Sequence, residues 1–321
     1  MRAAVCVRVG DDAGVELGEL PDPVAGPGQV EIAVAAAGVN FPDLLMVRGL
    51  YQFRPEPPFA PGVEVAGTVA ASADAGFAPG LPVMAYVSHG GWAERVVVDA
   101  AQVFPIPAAM LFEVAAVIPV GYGTAIHALV DRARIQPGET LVVLGAAGGV
   151  GLASVQLGRI LGARVIAVVS AEDKAAAAAA AGAEAVVRYD REDLRDRLGA
   201  LAPDGVDVVF DPVGGDVTEV AFRSLGWGGR LLVIGFTSGS IASLPANLPL
   251  LKGSAMVGVF WGRFAELEPD ANRAHMETLG GWWSDGSIDP HISGRYRLDE
   301  AAEALHRVAG RQVIGKLVVV P

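Results

Sequence analysis

Residues 140–151, TLVVLGAAGGVG, constrain the fold of this 321-residue chain more than any other stretch. A short apolar run meets Gly145, Gly148 and Gly151, and an apolar helical pattern follows. Glycine lets the backbone turn sharply and approach a ligand with no Cβ in the way. The helix behind the turn offers unpaired N–H groups and the positive end of its dipole to an anion. Gly145, Ala147, Gly148, Gly149, Val150 and Gly151 are therefore the candidate cradle for a dinucleotide pyrophosphate. Ala146 stands where the first glycine of G-x-G-x-x-G is expected. A glycine-rich turn in a sheet that binds nothing remains the alternative.

The surroundings have the matching rhythm. From about residue 116, strands are predicted at 141–145, 164–170, 185–188, 206–210, 230–236 and 254–260. Helices are predicted between the first five, at about 149–161, 171–181, 191–200 and 215–225. Almost purely apolar strands alternating with helices predict a parallel sheet covered on both faces. Six strands in this order predict a doubly wound Rossmann nucleotide-binding domain. The alanine run at 175–181 reads as an ordinary helix that Gly182 can end.

Residues 1–113 read differently. Short β-rich runs at 2–9, 29–37, 62–70 and 92–98 are punctuated by Pro21, Pro23, Pro27, Pro55, Pro57 and Pro58, which predicts a β-barrel-like module. One short helix is expected near 43–48. After about 262 the strand–helix alternation stops. Residues 299–308 form an amphipathic helix that Asp299 can cap, and 316–320 read as a closing strand.

Composition removes several function classes. The 24 Lys and Arg against 36 Asp and Glu give a formal charge of −12, the wrong sign for a protein that grips nucleic-acid backbones. No basic cluster suits an anionic membrane surface. The uncharged stretches 140–158 and 231–251 contain turn residues and do not read as membrane helices. With 52% hydrophobic residues the chain can bury a large core. The single cysteine, Cys6, rules out an internal disulfide and a cysteine metal cluster. His89, His127, His275, His291 and His306 are scattered singly, as structural or surface histidines are. No secretory pattern opens the chain, and a cytoplasmic, soluble protein is expected.

The second strand of the alternating region ends at Ser170, with no carboxylate there to bind a ribose 2′-OH or repel a 2′-phosphate. Lys174 follows one turn later and Tyr189 ends the third strand. A hydroxyl, a cation and a phenol near that ribose favour NADPH over NADH. Ser170 with Asp173 also fits a capping box, and Lys174 also fits a solvated position.

Several stretches together resemble the zinc-independent quinone oxidoreductases of the medium-chain dehydrogenase/reductase superfamily: AAGVNFPDLLMVRGLYQ (36–52), PGVEVAG (61–67), GGWAERVVV (90–98), the glycine turn, DPVGG (211–215), VIGFTSG (233–239), GVFWG (258–262) and GKLVV (315–319). The resemblance implies an α/β protein with a GroES-like catalytic domain from residues 1–115 and 262–321. The Rossmann domain, 116–261, is inserted between these parts. The zinc-bearing relatives carry a cysteine at the position of Asn40 and Gly-His-Glu at Gly62–Val63–Glu64, so no metal is expected. By resemblance Asn40 lies beside the nicotinamide, although it also fits a turn before Pro42. Tyr51 and Phe53 resemble residues of the substrate cleft, and Tyr51 could donate to a carbonyl or be a plain loop aromatic. Phe236, Phe260 and Trp261 match positions near nicotinamide and acceptor, or serve as packing. Thr124 matches a helix start that reaches the nucleotide. Val213 and Gly235 match backbone contacts on the carboxamide side, and Lys316 is a further cofactor candidate. Asp43 and Glu64 are expected to be left with structural hydrogen bonds.

Without a metal to stabilise a localised alkoxide, the acceptor has to be activated already. Quinones lead, enones or 2-enoyl thioesters follow with nearly the same chemistry, and a non-catalytic NADPH-binding sensor is the reading of another class. A homodimer through the apolar sixth strand is expected by resemblance.

Overall fold

The computed structural model describes residues 1–74 and 76–321. Contacts divide them into two compact units: Met1–Val120 with Phe264–Asp285 and Pro290–Pro321, and Gly121–Arg263 with Gly286–Asp289.

The first unit opens with β1 (Arg2–Val5) and β2 (Glu16–Glu19), an antiparallel pair. β3 (Gln29–Val39) follows, then α1 (Phe41–Val47), β4 (Glu64–Ser72), β5 (Pro82–Tyr86), β6 (Arg95–Asp99), β7 (Val103–Pro105) and α2 (Phe112–Ala115). The eleven residues of β3 alternate between half-buried and buried until Ala37, as a strand with one face on a core requires. Its beginning pairs with β6 and its stretch from Val30 to Ala37 with β4, both antiparallel. Helix α1 starts where Asn40 leaves the strand: the Asp43 carboxylate accepts the Asn40 backbone N–H at 2.7 Å, and Pro42 sits in the first turn, where its missing N–H costs nothing.

The chain continues through α3 (Pro119–Ile126) and one π-helical stretch, His127–Arg132, into the second unit. There it runs β8 (Thr140–Leu144), α4 (Gly149–Ile160), β9 (Arg164–Val169), α5 (Glu172–Ala180), β10 (Ala185–Arg188), α6 (Leu194–Leu201), β11 (Val206–Asp211), α7 (Asp216–Arg223), β12 (Leu225–Val233), α8 (Asn247–Lys252) and β13 (Ala255–Gly258). The six strands form one parallel sheet in the order β10-β9-β8-β11-β12-β13. β8 lies inside it, buried along its whole length, and the order reverses beside it, between β8 and β11. In such sheets ligands bind outside the carboxyl ends of the strands at that reversal. β13 and β10 are the sheet's two edge strands.

The remaining elements are α9 (Trp261–Leu267), whose first three residues still belong to the second unit, and α10 (Pro269–Ser284), β14 (Ile292–Arg297), α11 (Ala301–Ala309) and β15 (Lys316–Val320), which complete the first unit. β15 pairs antiparallel with the end of β3 and parallel with β14. The seven-stranded sheet thus draws strands from both ends of the chain, and its core includes Ile32, Met46, Val65, Trp92 and Val319.

Several local expectations need correction. β12 starts at Leu225, five residues early, because Gly226, Gly228 and Gly229 lie in a strand whose pairing to β11 shifts register rather than in a turn. The capping box that stood as the alternative reading of Ser170 and Asp173 does not form: Ala171 occupies the N-cap of α5, and Asp173 Oδ1 accepts the neighbouring Lys174 N–H. Asp299 does not cap α11 either, because it lies in a single 3-10 turn and its carboxylate holds Arg297. Helices α9 and α10 were not legible: α10 buries only Asn272, Met276 and Leu279, too few apolar residues to print a periodic stripe.

Candidate active site

The second unit carries the candidate nucleotide cradle. β8 ends at Leu144, Gly145 takes φ +59, and Gly148 is the N-cap of α4 with no side chain capping it. The first N–H groups of the helix therefore face the turn without a side-chain acceptor. The Ala146 N–H bonds Val168 O of β9 at 3.2 Å, and the Gly148 N–H bonds Gly145 O at 3.0 Å, so the turn is tied both to the sheet and to itself. Gly151 has to be glycine: a Cβ there would run into the Gly145 carbonyl and stand 2.8 Å from Ala146 Cα. That close approach is what brings the helix N-terminus down onto the strand.

Two further loops and helix α3 stand beside the turn. A Cβ on Gly145 would stand 3.0 Å from Val213 Cγ2, which places the loop after β11 against it. A buried Asp211 builds that loop: Oδ1 accepts the N–H groups of Val213 and Gly214 at 2.8 and 2.9 Å, and Oδ2 accepts the Thr218 hydroxyl at 2.5 Å. The Gly235 N–H returns to Asp211 O at 3.3 Å, and Phe236 packs beside Gly214. Val213, Gly235 and Phe236, singled out from the sequence, are thus brought together. Asp211, which the DPVGG motif contains, was overlooked because its role lies in backbone donors no pattern reveals. Gly121, at the start of this unit, lies near Gly149 O, and Thr124 is buried one turn further along α3.

At the ends of β9 and β10 the expected trio also gathers. Lys174 Nζ lies 3.4 Å from Ser170 Oγ, and the Tyr189 N–H donates to Val169 O at 3.2 Å, leaving its ring about half exposed. Glu172 and Asp190 are close as well, but both bind the Arg188 guanidinium. The hydrogen bonds that Arg188 donates to the Asp190 carboxylate hold its pKa above the ordinary value. Arg188 was missed because it reads as an ordinary strand end. Phe260 is exposed after β13, and Trp261 is buried at the start of α9.

The first unit carries a different cluster. Lys316, at the start of β15, is buried with its ammonium 2.6 Å from Asn40 Oδ1, 2.7 Å from Glu64 Oε1 and 3.1 Å from Val39 O. Asn40 Nδ2 donates to Glu64 Oε1 at 2.9 Å, and Glu64 Oε2 accepts the Val120 N–H at 2.8 Å. Gly38 makes room: a Cβ there would strike Glu64 Oε1 and stand 2.7 Å from Ala116 O. Trp92 Nε1 donates to the carbonyl of Gly38 at 3.1 Å and pins the strand. Asp43, wholly buried, accepts the Asn40 and Gly62 N–H groups at 2.7 and 2.9 Å. Burial pushes its carboxyl up to about 7 against the pull of those two bonds and of Lys316. Burial also raises Tyr51, aided by the Asp43 charge, and raises Tyr86 far above the ordinary phenol, aided by Tyr51. Tyr86 sits opposite Glu64 in the β4–β5 register and had no motif to mark it. Phe53 stacks tilted on His89, ring centroids 5.5 Å apart.

The alcohol dehydrogenase GroES-like domain matches residues 26–108 and the zinc-binding dehydrogenase domain matches 149–275. Quinone oxidoreductase-like protein 2 of Mus musculus is 38% identical over 322 residues, covering 99% of this chain and 91% of its own. The chain belongs to the quinone oxidoreductase family of the medium-chain dehydrogenases and reductases. The quinone oxidoreductase of Thermus thermophilus, solved also with NADPH, is 34% identical with a TM-score of 0.88, each chain covered in full. That of Escherichia coli, complexed with NADPH, is 25% identical with a TM-score of 0.92, again over the whole of both chains. For this family member the fold is therefore a GroES-like domain joined to a Rossmann domain.

A zinc ion does not fit the buried cluster. The oxygens of Val39, Asn40 and Glu64 that could approach a metal converge on the Lys316 ammonium, which already fills the place of a cation. Among the described residues no three His, Cys, Asp or Glu gather as a metal site. No helix among them is long and apolar enough to cross a membrane.

Proposed function

We propose that this family member is an NADPH-dependent reductase that transfers hydride to quinones. The observation that carries the reading is the uncapped glycine turn with Ser170, Lys174 and Tyr189 gathered at the neighbouring strand ends. The residues fit the nucleotide. Backbone N–H groups of Gly149, Val150 and Gly151 take the pyrophosphate, while Ser170, Lys174 and Tyr189 take the 2′-phosphate. Arg188 neutralises Glu172 beside them. Val213, Gly235, Phe236 and Thr124 hold the nicotinamide side, with Phe260 and Trp261 following. Two relatives of known structure carry NADPH, which supports the same choice here.

Bound NADPH supplies a hydride from its reduced ring. The protein's own contribution is orientation and hydrogen bonding, because an electron-poor quinone spreads the incoming charge over its oxygen. Asn40 and Tyr51 are the donors assigned to that oxygen, and Phe53 lines the acceptor side. Water supplies the proton. We also propose that two copies pair through the edge strand β13, and that the enzyme works in the cytoplasm.

Steady-state rates with NADPH and 1,4-benzoquinone, 9,10-phenanthrenequinone or crotonyl-CoA test the reading. Faster turnover of the thioester than of either quinone would transfer the assignment to enoyl reduction. Tight NADPH binding with no acceptor turned over would leave a non-catalytic binder. Equal affinity for NADH and NADPH would overturn the cofactor choice, and a monomeric mass in solution would overturn the pairing.

A further inference from the structure

The sequence makes Lys316 a cofactor candidate, and its surroundings give it a different task. Its ammonium has three hydrogens, and three acceptors stand within 2.6–3.1 Å: Asn40 Oδ1, Glu64 Oε1 and Val39 O. None is left over for a nucleotide phosphate. The same geometry holds the Asn40 carboxamide in one orientation. Its oxygen faces the ammonium, and one of its two Nδ2 hydrogens faces Glu64 Oε1 at 2.9 Å. A flipped amide would set two donors against each other at Lys316 and two acceptors against each other at Glu64, which a site this buried does not tolerate. The backbone cannot follow a flip either, because Asp43 holds the Asn40 N–H at 2.7 Å.

We propose that Lys316 is a positioning residue: it fixes the Asn40 amide so that the second Nδ2 hydrogen, and not the carbonyl lone pair, is presented to the oxygen of the acceptor. This rests on the reductase reading above. The ammonium also draws electron density from the amide oxygen, which makes the presented N–H a stronger donor where negative charge develops. Lys316 touches neither nucleotide nor acceptor and acts through Asn40. The chain thus keeps a cation at this place, and its effect reaches the substrate through one side chain.

The test uses the full-length protein. Lys316→Met alone would strand the buried Glu64 carboxylate and endanger folding, so the informative variant is the neutral pair Lys316→Met with Glu64→Gln. Asn40→Ala and the combined triple variant complete the cycle. The measurements are kcat and KM for 1,4-benzoquinone, the Kd of NADPH by fluorescence, and the Asn40 side-chain amide signals in a ¹H–¹⁵N spectrum. The neutral pair is expected to lose at least about tenfold in kcat, part of the loss seen when an oriented donor is removed. Its NADPH Kd should stay within about twofold, and Asn40→Ala should lose nothing more when the pair is added. The two Asn40 amide protons, well separated in the wild type, should move together in the neutral pair. Wild-type kcat in the neutral pair, or unchanged amide signals, would overturn the proposal. A Kd weakened tenfold with kcat intact would return Lys316 to the nucleotide. Absence of NADPH oxidation by the wild type would instead sink the reductase reading, and the amide signals would still decide whether Lys316 fixes Asn40.

Discussion

Replacing Gly151 by alanine separates close packing from ligand contact at the glycine turn. The new Cβ would meet the Gly145 carbonyl and lie 2.8 and 2.9 Å from Ala146 Cα and C, all backbone atoms that cannot rotate away. Helix α4 has to shift, although Leu152, Ala153, Val155 and Leu157 pack it into the unit. Overpacking of this kind costs about 1–3 kcal/mol, and removing a helical glycine returns up to about 1 kcal/mol. The net loss is then about 1–2 kcal/mol, a fall in Tm of about 3–6 °C for a unit of this size. Moving the helix N-terminus from the phosphate forfeits much of a helix–anion term of about 1 kcal/mol, so NADPH should bind about three- to fivefold more weakly. Gly148→Ala is the control. Its backbone, φ −75 and ψ 171, suits any residue, and the nearest atom to a Cβ is Gly145 O at 3.5 Å. Its Tm should fall less than that of Gly151→Ala, because glycine and alanine at an N-cap differ by no more than about 0.5–1 kcal/mol. Differential scanning calorimetry and a fluorescence titration read both quantities. A Gly151→Ala protein with wild-type Tm and affinity would refute the reasoning about close approach.

Three other outcomes are expected. Ser170→Asp puts a carboxylate beside Lys174 and the 2′-phosphate, and should weaken NADPH about ten- to a hundredfold while changing NADH little, read from paired titrations. Asp43 has a native pKa of about 7, raised from 3.8 by burial, so its folded state holds a proton that the unfolded chain has released between those values. It contributes stability below pH 3.8 that is lost as pH rises through 7, at no more than about 1.4 kcal/mol per pH unit. Urea midpoints from about pH 5 to about pH 7.5 should fall in the wild type and flatten in Asp43→Asn; equal slopes would remove Asp43 as the cause. Asp211→Ala orphans the N–H groups of Val213 and Gly214 and should cost about 1–3 kcal/mol by chemical denaturation, whereas Asp211→Asn, which keeps an acceptor, should cost clearly less.

The nucleotide unit was largely legible in the chain because its signals are local. Apolar strands of the right length, glycines after β8 and a changed rhythm at the boundaries are all written in neighbouring residues, and the strand ends at Ser170 and Arg188 differ from the observed ones by one residue or none. The motifs also pointed to Asn40, Glu64 and Lys316 separately. Linear order concealed that Lys316, the start of a strand 276 residues after Asn40, points its ammonium at that side chain. Asp211 escaped for another reason, because it acts on backbone N–H groups two and three residues on, which side-chain patterns do not show, while Arg188 meets Glu172 only through the fold. The irregular start of β12 and the helices α9 and α10 escaped because glycine content and a weak apolar stripe say little without tertiary partners.

Sequence alone determined the two kinds of unit, the place of the glycine turn and the absence of a cysteine cluster, because periodicity, turn chemistry and composition are properties of adjacent residues. Tertiary structure decided which side chains share a charge. A buried ammonium, a carboxylate and an amide from three separate strands and turns stabilise one another only when closure of β15 onto β3 removes water from all three at once.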